Sequence, residues 1–175
     1  FYVLDVYRQA YETKEYDEKT QAGVEFFGDK SAAADAEVIA LAAEVLQHVQ
    51  KNHYKIEIGH AGFFKQLTSE IELTKEELHE LKELIHAKNI PDLHKMLETL
   101  TIDPAIKEII ASLPFLYGKV DEVLEKTKQL TLSEDLQQKL VAIEAIHELL
   151  QAYAIADHIV LDLSLINHMD YYSDI

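Results

Sequence analysis

The alternation of apolar and polar residues predicts two strands at the start of the chain. Phe1 to Tyr7 is rich in β-branched and aromatic residues, and Gln21 to Phe27 repeats the pattern with Val24 and Phe26 on one face. The charged stretch between them, Glu12 to Lys19, is polar and too short for a helical crossover. The two segments are therefore predicted to form an antiparallel hairpin with a long connection.

An alanine-rich helix is predicted next, over Ser31 to Gln50, and its alanines favour close packing against neighbouring elements. Its larger apolar side chains are spaced to bury one stripe, formed by Val38, Leu41, Val45, Leu46 and Val49. The segment Tyr54 to Ile58 then alternates apolar and polar residues and ends at Gly59. This pattern predicts a strand with one buried face.

Short amphipathic helices follow. Thr74 and Glu77 have the spacing of a capping box, and the helix after them carries Leu78, Leu81 and Ile85 on one face. Pro91 is predicted to begin the next helix, and Asp103 with Pro104 to cap and begin another, which Pro114 ends. Ser133 is predicted to begin the longest helix. One further helix is predicted over Val120 to Leu130, and the long helix after Ser133 is predicted to bury Leu136, Leu140, Ile143, His147 and Leu150.

Strand character returns at His158 to Leu165, where leucines alternate with Asp162 and Ser164. A helical insertion that leaves and re-enters a sheet implies that the flanking strands are neighbours in space. The sequence therefore predicts an α+β fold in three parts: a first core segment over residues 1–68, a helical insertion over 69–156, and a return to the core over 157–175.

Composition limits the classes of partner. The chain has 175 residues, is 48% hydrophobic, and carries 16 basic against 32 acidic residues, for a net charge of −16. The basic residues are interleaved with acidic ones and form no patch that could outweigh this field, so nucleic-acid binding is not expected. No apolar stretch reaches the ~18 to 20 residues of a membrane span.

The chain contains no cysteine, which excludes disulfides, thiolate zinc sites and cysteine nucleophiles and is typical of a reducing compartment, so a cytoplasmic protein is expected. The sequence opens at Phe1 inside a predicted strand and closes at Ile175 without a terminal helix. Both ends therefore look cut, and the sequence is expected to be a piece of a longer protein.

Nine histidines raise the question of a metal site, but their spacing does not favour one. In the stretch HELKE, which begins at His79, Glu83 stands where a helical zinc motif needs its second histidine. His79, Lys82 and His86 share a polar face that is expected to be solvated, and His147 is expected to be a hydrogen-bonded core or boundary histidine. No metal site, cofactor, phosphate-binding glycine loop or nucleophile elbow is predicted.

Polar residues at predicted strand positions are the remaining candidates for chemistry, namely Arg8, Gln21, Glu25, Asp162, Asp170, Tyr171 and Tyr172. Each of them is also compatible with an ordinary solvated sheet face. Gln21 and Glu25, however, lie four residues apart and so share one side of a predicted strand. Together with a guanidinium, such a face can hold a small zwitterion by its ammonium and carboxylate groups.

Several blocks of the sequence resemble a known family. VYRQAYE, QAGVEFFG and DAEVIAL are similar to the second signature motif of class II aminoacyl-tRNA synthetases of the histidyl type and the helix after it, and INHMDYY resembles their histidine-recognition loop. IEIGHAGFFKQL and LPFLYGKVDEVLEK more specifically resemble the regulatory subunit of ATP phosphoribosyltransferase, a paralogue of these synthetases. The resemblance covers nearly the whole chain and implies a class II synthetase-like, mostly antiparallel sheet with a helical insertion.

The resemblance also implies roles for individual residues. Arg8 matches the motif arginine that contacts the amino-acid carboxylate and the ATP α-phosphate, and Gln21 and Glu25 match the side chains that bind the histidine ammonium. Tyr171 and Tyr172 match the tyrosine pair that closes over the imidazole. The resemblance thus implies a histidine pocket formed by these five residues.

Departures from the family pattern argue against aminoacylation. Ala10 replaces a motif glutamate, the loop expected to supply another arginine to ATP reads Tyr16, Asp17 and Glu18, and Asn167 replaces an arginine of adenylate formation. Loss of such cations should slow the reaction on the order of a thousandfold per major contact. No catalytic residue is therefore predicted.

The function implied by the resemblance is that of a regulatory subunit in the first step of histidine biosynthesis. Such a subunit would act as a homodimer within a hetero-oligomer with the short-form catalytic subunit of ATP phosphoribosyltransferase, and would bind free histidine. Two alternatives stay open: an active histidyl-tRNA synthetase, and a helical insertion that serves only as a protein-interaction module.

Overall fold

A computed structural model of the chain describes residues 1–9, 16–50 and 53–166. Its first sheet is an antiparallel hairpin of β1 (Tyr2–Gln9) and β2 (Tyr16–Gly23), with Tyr2 opposite Gly23 and Gln9 opposite Tyr16. The hairpin is confirmed, but the predicted strand over Gln21 to Phe27 is wrong in position. β2 pairs with β1 as far as Gly23, and Val24 to Phe27 lie outside the strand.

The second sheet has three strands, β3 (Ile56–Ile58), β4 (Tyr117–Gly118) and β5 (Ile159–Asp162), in the order β3-β5-β4. β5 pairs parallel to β3 and antiparallel to β4. The strands on either side of the helical insertion are thus neighbours, as predicted, and the α+β class is confirmed. Among the strand pairings of the described residues, only β3–β5 is parallel.

β5 is buried along its whole length, because it is the central strand of this sheet. The alternation predicted for His158 to Leu165 is therefore wrong. Asp162 and Ser164 are buried at 6% and 2% exposure, whereas Leu165 is 40% exposed. The polar pair tolerates burial because Ser164 donates hydrogen bonds to the Asp162 carboxylate from both its backbone N–H and its hydroxyl.

Seven helices occupy the described residues: α1 (Ala32–Gln50), α2 (Ala61–Ser69), α3 (Lys75–His86), α4 (Ile90–Thr99), α5 (Pro104–Ser112), α6 (Val120–Thr127) and α7 (Glu134–Ala152). The predicted start signals are confirmed. Thr74, Asp103 and Ser133 cap α3, α5 and α7 through their side chains, and Pro91 and Pro104 lie in first turns. Short 3₁₀ segments over Leu113–Phe115 and Ala156–His158 follow α5 and α7.

The face that α1 buries differs from the prediction. Its contacts with α7 bury Ala36 and Ala43 completely, whereas Leu41, Val45 and Val49 are 42%, 56% and 69% exposed. Small side chains let two helix backbones approach closely, so the alanine face, rather than the face with the larger side chains, packs here. The predicted stripe through Leu41, Val45 and Val49 is therefore wrong, while the expectation of close packing through alanine is confirmed.

α7 forms the centre of the helical core. The five residues predicted for its stripe are all buried: Leu136, Leu140, Ile143, His147 and Leu150. α7 contacts α1, α2 and α6, and the apolar cluster around it extends to β3 and β5. One hydrophobic core therefore joins the helices to the three-stranded sheet, whereas no residue of the β1–β2 hairpin belongs to it among the described residues.

The capping box of α3 gives a prediction about pH. The Glu77 carboxylate accepts hydrogen bonds of 2.8 Å from the backbone N–H of Thr74 and from its hydroxyl, and these bonds lower the pKa of Glu77. A carboxyl with a depressed folded pKa adds stability above its unfolded pKa and loses it as the pH falls through the folded pKa. Glu77→Gln is therefore expected to destabilise the protein more at pH 7 than at pH 3, measured by urea unfolding at both values.

The matched control is Glu76→Gln, which removes a carboxylate from the same first turn of α3 but leaves the capping box intact. A stability difference between Glu77→Gln and Glu76→Gln that does not change with pH would contradict the prediction.

Candidate functional site

Two of the predicted ligand-binding residues meet on one face of the hairpin. The Arg8 Nη2 group donates a hydrogen bond of 2.9 Å to the Gln21 side-chain oxygen, and Gln21 Nε2 donates one of 2.6 Å to the Tyr2 hydroxyl. The register alternates side chains across the hairpin, so Tyr2, Arg8 and Gln21 share a face. Arg8 is exposed and Gln21 is partly buried, which leaves the guanidinium accessible to an anionic group.

Of the other predicted ligand-binding residues, the structure describes Glu25. Glu25 is exposed and lies beyond Gly23, where β2 ends, so the argument that Gln21 and Glu25 share one strand face is wrong. Tyr171 and Tyr172 lie outside the described residues, as does Asp170.

One acidic side chain lies beside Arg8 on the same face of the hairpin, and a second follows it on the other face. Asp17 is directly opposite Arg8 in the hairpin register and forms an ion pair of 2.7 Å with Lys19, and Glu18 accepts a hydrogen bond of 3.0 Å from the Tyr7 hydroxyl. Both carboxylates lie on exposed positions of β2. Because side chains alternate across the hairpin, Asp17 and Lys19 share the face of Arg8, whereas Glu18 lies on the other face with Tyr7. Ala10 and Asn167, the other departures from the family pattern, lie outside the described residues.

A second polar group lies at the three-stranded sheet and consists of Glu57, Lys88, Tyr117, Asp162 and Ser164; we call it the Lys88 cluster. The Lys88 ammonium is 3.4 Å from Asp162 Oδ2 and 4.7 Å from the centroid of the Tyr117 ring. The Tyr117 hydroxyl donates a hydrogen bond of 3.3 Å to Glu57. The cluster therefore links the α3–α4 turn to β3, β4 and β5.

Charge within this cluster changes one pKa. The Glu57 carboxylate, and to a smaller extent burial and the carboxylate of Asp162, raise the pKa of the Tyr117 hydroxyl. The upward shift stabilises the protonated hydroxyl, which is the form that donates the hydrogen bond to Glu57.

The sequence indicated Asp162 as a polar strand residue but gave no sign of its partner. Lys88 is 74 residues away in the chain, and a single lysine after an amphipathic helix has no pattern that distinguishes it from a solvated one. The signal at this position is the helix end, because Lys88 stands directly after Ala87, the C-cap of α3, where a glycine or asparagine would be usual.

The predicted histidine environments are largely confirmed. His79 and His86 are exposed on α3. His147 is buried on α7, where its Nε2 atom is 3.2 Å from both Asp121 Oδ1 and Gln151 Nε2, while its Nδ1 atom has no hydrogen-bond partner among the residues that the structure describes. These three residues line a cavity of about 360 Å³. His147 is thus a hydrogen-bonded boundary histidine.

Residues 1–9, 16–50 and 53–166 contain no group of three or more histidine, cysteine or acidic side chains arranged to hold a metal ion. Within the same residues, none of the helices has the length and apolar character that crossing a membrane requires.

The fold and the sequence together define the class of protein. The family described as Histidyl-tRNA synthetase matches residues 1–175, the whole chain. The chain therefore belongs to the histidyl-tRNA synthetase family.

Curated relatives within this family carry a more particular name. A protein from Oceanobacillus iheyensis named ATP phosphoribosyltransferase regulatory subunit is 41% identical over 174 residues, which is 99% of this chain and 42% of the relative. A protein of the same name from Alkaliphilus metalliredigens is 33% identical over 178 residues, which is 99% of this chain and 44% of the relative. The chain thus spans less than half the length of these relatives.

Two solved structures share the fold of this chain. A crystal structure described as an ATP phosphoribosyltransferase regulatory subunit/histidyl-tRNA synthetase from Bacillus halodurans superposes with a TM-score of 0.84 at 29% identity, over 99% of this chain and 45% of that one. The ATP phosphoribosyl transferase (HisG:HisZ) complex from Thermotoga maritima has a chain that superposes with a TM-score of 0.74 at 22% identity, over 99% of this chain and 59% of that one, and shows the shared fold. The fold that the sequence blocks implied is confirmed.

Proposed function

We propose that this chain is part of a non-catalytic, cytoplasmic regulatory subunit of ATP phosphoribosyltransferase, which supports the catalytic subunit in the first step of histidine biosynthesis and reports histidine to it. The observation that carries the proposal is the similarity to relatives named ATP phosphoribosyltransferase regulatory subunit along 99% of this chain. In this protein, residues 1–68 and 157–175 belong to the synthetase-like core and residues 69–156 to its helical insertion.

The hairpin supports the histidine-binding half of the proposal. Arg8 is held by Gln21 with its guanidinium exposed, and a guanidinium pairs with a carboxylate through two parallel hydrogen bonds. Arg8 thus binds the carboxylate of histidine, Gln21 and Glu25 bind its ammonium, and Tyr171 and Tyr172 enclose its imidazole. Each of these roles is carried over from the family resemblance.

The electrostatics of the hairpin support the absence of catalysis. Phosphoryl chemistry needs cations where charge develops on the phosphates, and losing one such contact raises the barrier by about 3 to 4 kcal/mol. Asp17 lies opposite Arg8, and Glu18 follows it on the same strand. A triphosphate at Arg8 would meet the carboxylate of Asp17, which shares its face of the hairpin, whereas the Glu18 side chain lies on the opposite face.

Calorimetric titration of the full-length protein with histidine tests the sensor half. The wild-type protein is expected to bind histidine, and Arg8→Ala is expected to weaken binding about tenfold or more, because a hydrogen-bonded charge pair is lost. The matched control is Lys126→Ala, which removes one positive charge at an exposed position of α6 and should leave the affinity unchanged. Absence of heat at millimolar histidine would refute histidine sensing.

Co-purification tests the partner half. The full-length protein is expected to elute as a homodimer alone and as a larger hetero-oligomer when mixed with the short-form catalytic subunit, measured by size-exclusion chromatography with light scattering. Separate elution of the two proteins would refute the partnership. Retention of the complex after replacing Arg8 by Ala would place the contact outside the histidine pocket.

An active histidyl-tRNA synthetase is the second candidate, because the matching family carries that description. ATP–pyrophosphate exchange with histidine separates the two functions. We expect no exchange above background, since Tyr16, Asp17 and Glu18 stand where the family resemblance implies a segment that supplies another arginine to ATP. Measurable turnover would overturn the non-catalytic assignment and favour the synthetase.

A further inference from the structure

Lys88 adopts a backbone conformation that lysine rarely has. It lies between α3 and α4 at a φ of 51°, in the left-handed region that glycine favours. Its N–H donates a hydrogen bond of 3.0 Å to the carbonyl of Ile85, and the N–H of Asn89 donates one of 2.9 Å to the carbonyl of Leu84. The turn is therefore closed by its backbone alone, and the lysine side chain is not needed to form it.

The Lys88 side chain instead reaches the three-stranded sheet. Its ammonium lies 3.4 Å from Asp162 Oδ2 and over the ring of Tyr117. The side chain of Asp162 is 9% exposed and that of Lys88 is 44% exposed. The lysine ammonium is therefore the counter-ion of a nearly buried carboxylate. A buried carboxylate that loses its charged partner is strongly unfavourable, so its surroundings rearrange.

The second oxygen of Asp162 holds the turn that follows β5. Asp162 Oδ1 accepts hydrogen bonds of 2.8 Å from the Ser164 N–H and 2.5 Å from its hydroxyl. The N–H of Leu165 donates to the Asp162 carbonyl, and that of Ile166 donates to the Ser164 carbonyl. The Asp162 carboxylate thus contacts Lys88 through one oxygen. Through the other oxygen it holds the turn formed by residues 162–166.

We propose that Lys88 is a positioning residue that couples the α3–α4 turn to the turn at residues 162–166 through Asp162. The inference rests on the function proposed above, because the chain continues from Ile166 to Tyr171 and Tyr172, the residues assigned to the histidine imidazole. A displacement of the α3–α4 turn, for instance by a partner bound to the helices, changes the Asp162 turn and with it the affinity for histidine. By reciprocity, histidine binding changes the affinity for that partner.

Hydrogen–deuterium exchange of the full-length protein tests the coupling without any ligand. Lys88→Met removes the charge and keeps the alkyl stem, and is expected to raise the exchange rate of the Ser164, Leu165 and Ile166 amides about tenfold. Lys88→Gly removes the side chain while relieving the left-handed backbone, and is expected to have the same effect without lowering the melting temperature. Lys88→Arg should restore slow exchange.

Two controls separate coupling from general loosening. Lys95→Met breaks an exposed lysine–carboxylate pair on α4, and Ala154→Gly relieves another left-handed residue, at a φ of 57°. Both are expected to leave exchange at residues 164–166 unchanged. A double-mutant cycle of Lys88→Met with Asp162→Asn should be non-additive, since asparagine keeps an acceptor for Ser164 and has no charge that needs Lys88.

The histidine titration supplies the functional readout. Lys88→Met is expected to weaken histidine binding about three- to tenfold, while Lys95→Met leaves it unchanged. Amide exchange that stays at the wild-type rate in both Lys88→Met and Lys88→Gly would overturn the proposal. If the wild-type protein binds histidine, a Lys88→Met variant that binds it with the same affinity would overturn the proposal as well. A wild-type protein that binds no histidine would overturn the sensor function, while the exchange measurement would still decide on the coupling.

Discussion

Phe63→Ala is expected to lower the free energy of unfolding by about 3 to 5 kcal/mol, which is among the largest effects of a single truncation. Phe63 is completely buried on α2, which packs against α7 at the centre of the core. Removing the ring leaves a cavity that the two helices and the neighbouring sheet fill only partly. Urea unfolding followed by circular dichroism measures the change.

The matched control for this substitution is Phe115→Ala. Phe115 belongs to the 3₁₀ segment after α5 and is 59% exposed, so its truncation should change the unfolding free energy by less than about 1 kcal/mol. The cap of α2 is a backbone-directed contact, in which His60 Nδ1 accepts from the Phe63 N–H, and it stays in place in Phe63→Ala. If Phe63→Ala and Phe115→Ala lowered the free energy of unfolding equally, burial of Phe63 would not be what stabilises this region.

Ala43→Leu is expected to destabilise the protein by about 1 to 3 kcal/mol through overpacking. Ala43 is completely buried in α1, which contacts α7, and a leucine side chain there pushes the two helices apart. The neighbouring Ala42 is exposed, so Ala42→Leu is the control and is expected to be neutral, because leucine and alanine have similar helix propensity. Thermal unfolding of both variants measures the difference.

A reversed result would identify a different packing face for α1. If Ala42→Leu destabilised the protein and Ala43→Leu did not, the helix would be rotated relative to α7. The face with Leu41 and Val45 would then be its buried side.

Local signals in the sequence predicted most helix boundaries, because caps and first-turn prolines act within one turn of the chain. Thr74 with Glu77, and Asp103 with Pro104, are recognised by residues a few positions away, and both are confirmed. The buried face of α1 was predicted wrongly, because the sequence does not indicate which of two apolar faces finds a partner. The large apolar side chains of Leu41 and Val45 suggested that their face of α1 is buried. The buried face is instead that of Ala43, whose small side chain lets the helices pack closely.

Strand position and the candidate site depended on information that is not local. The period-two pattern continued to Phe27, whereas the residues of β2 are those that pair with β1, from Tyr16 to Gly23. The structure brings Arg8 and Gln21 into contact, whereas their binding roles come from the family resemblance rather than from periodicity and stay a prediction. Lys88 was missed because its partner is remote in sequence, and only the fold places it beside Asp162.

The parallel pairing of β3 with β5 has a consequence for how the protein reaches its native state. Ile56 lies opposite Ile159, so this contact closes a loop of about a hundred residues that contains six of the seven described helices. Contacts of such long range form slowly unless the intervening chain is already compact. Helices α2 to α7 therefore act as a folding template that brings the two strand segments within reach, and substitutions that slow their assembly should delay sheet formation even when they touch no strand.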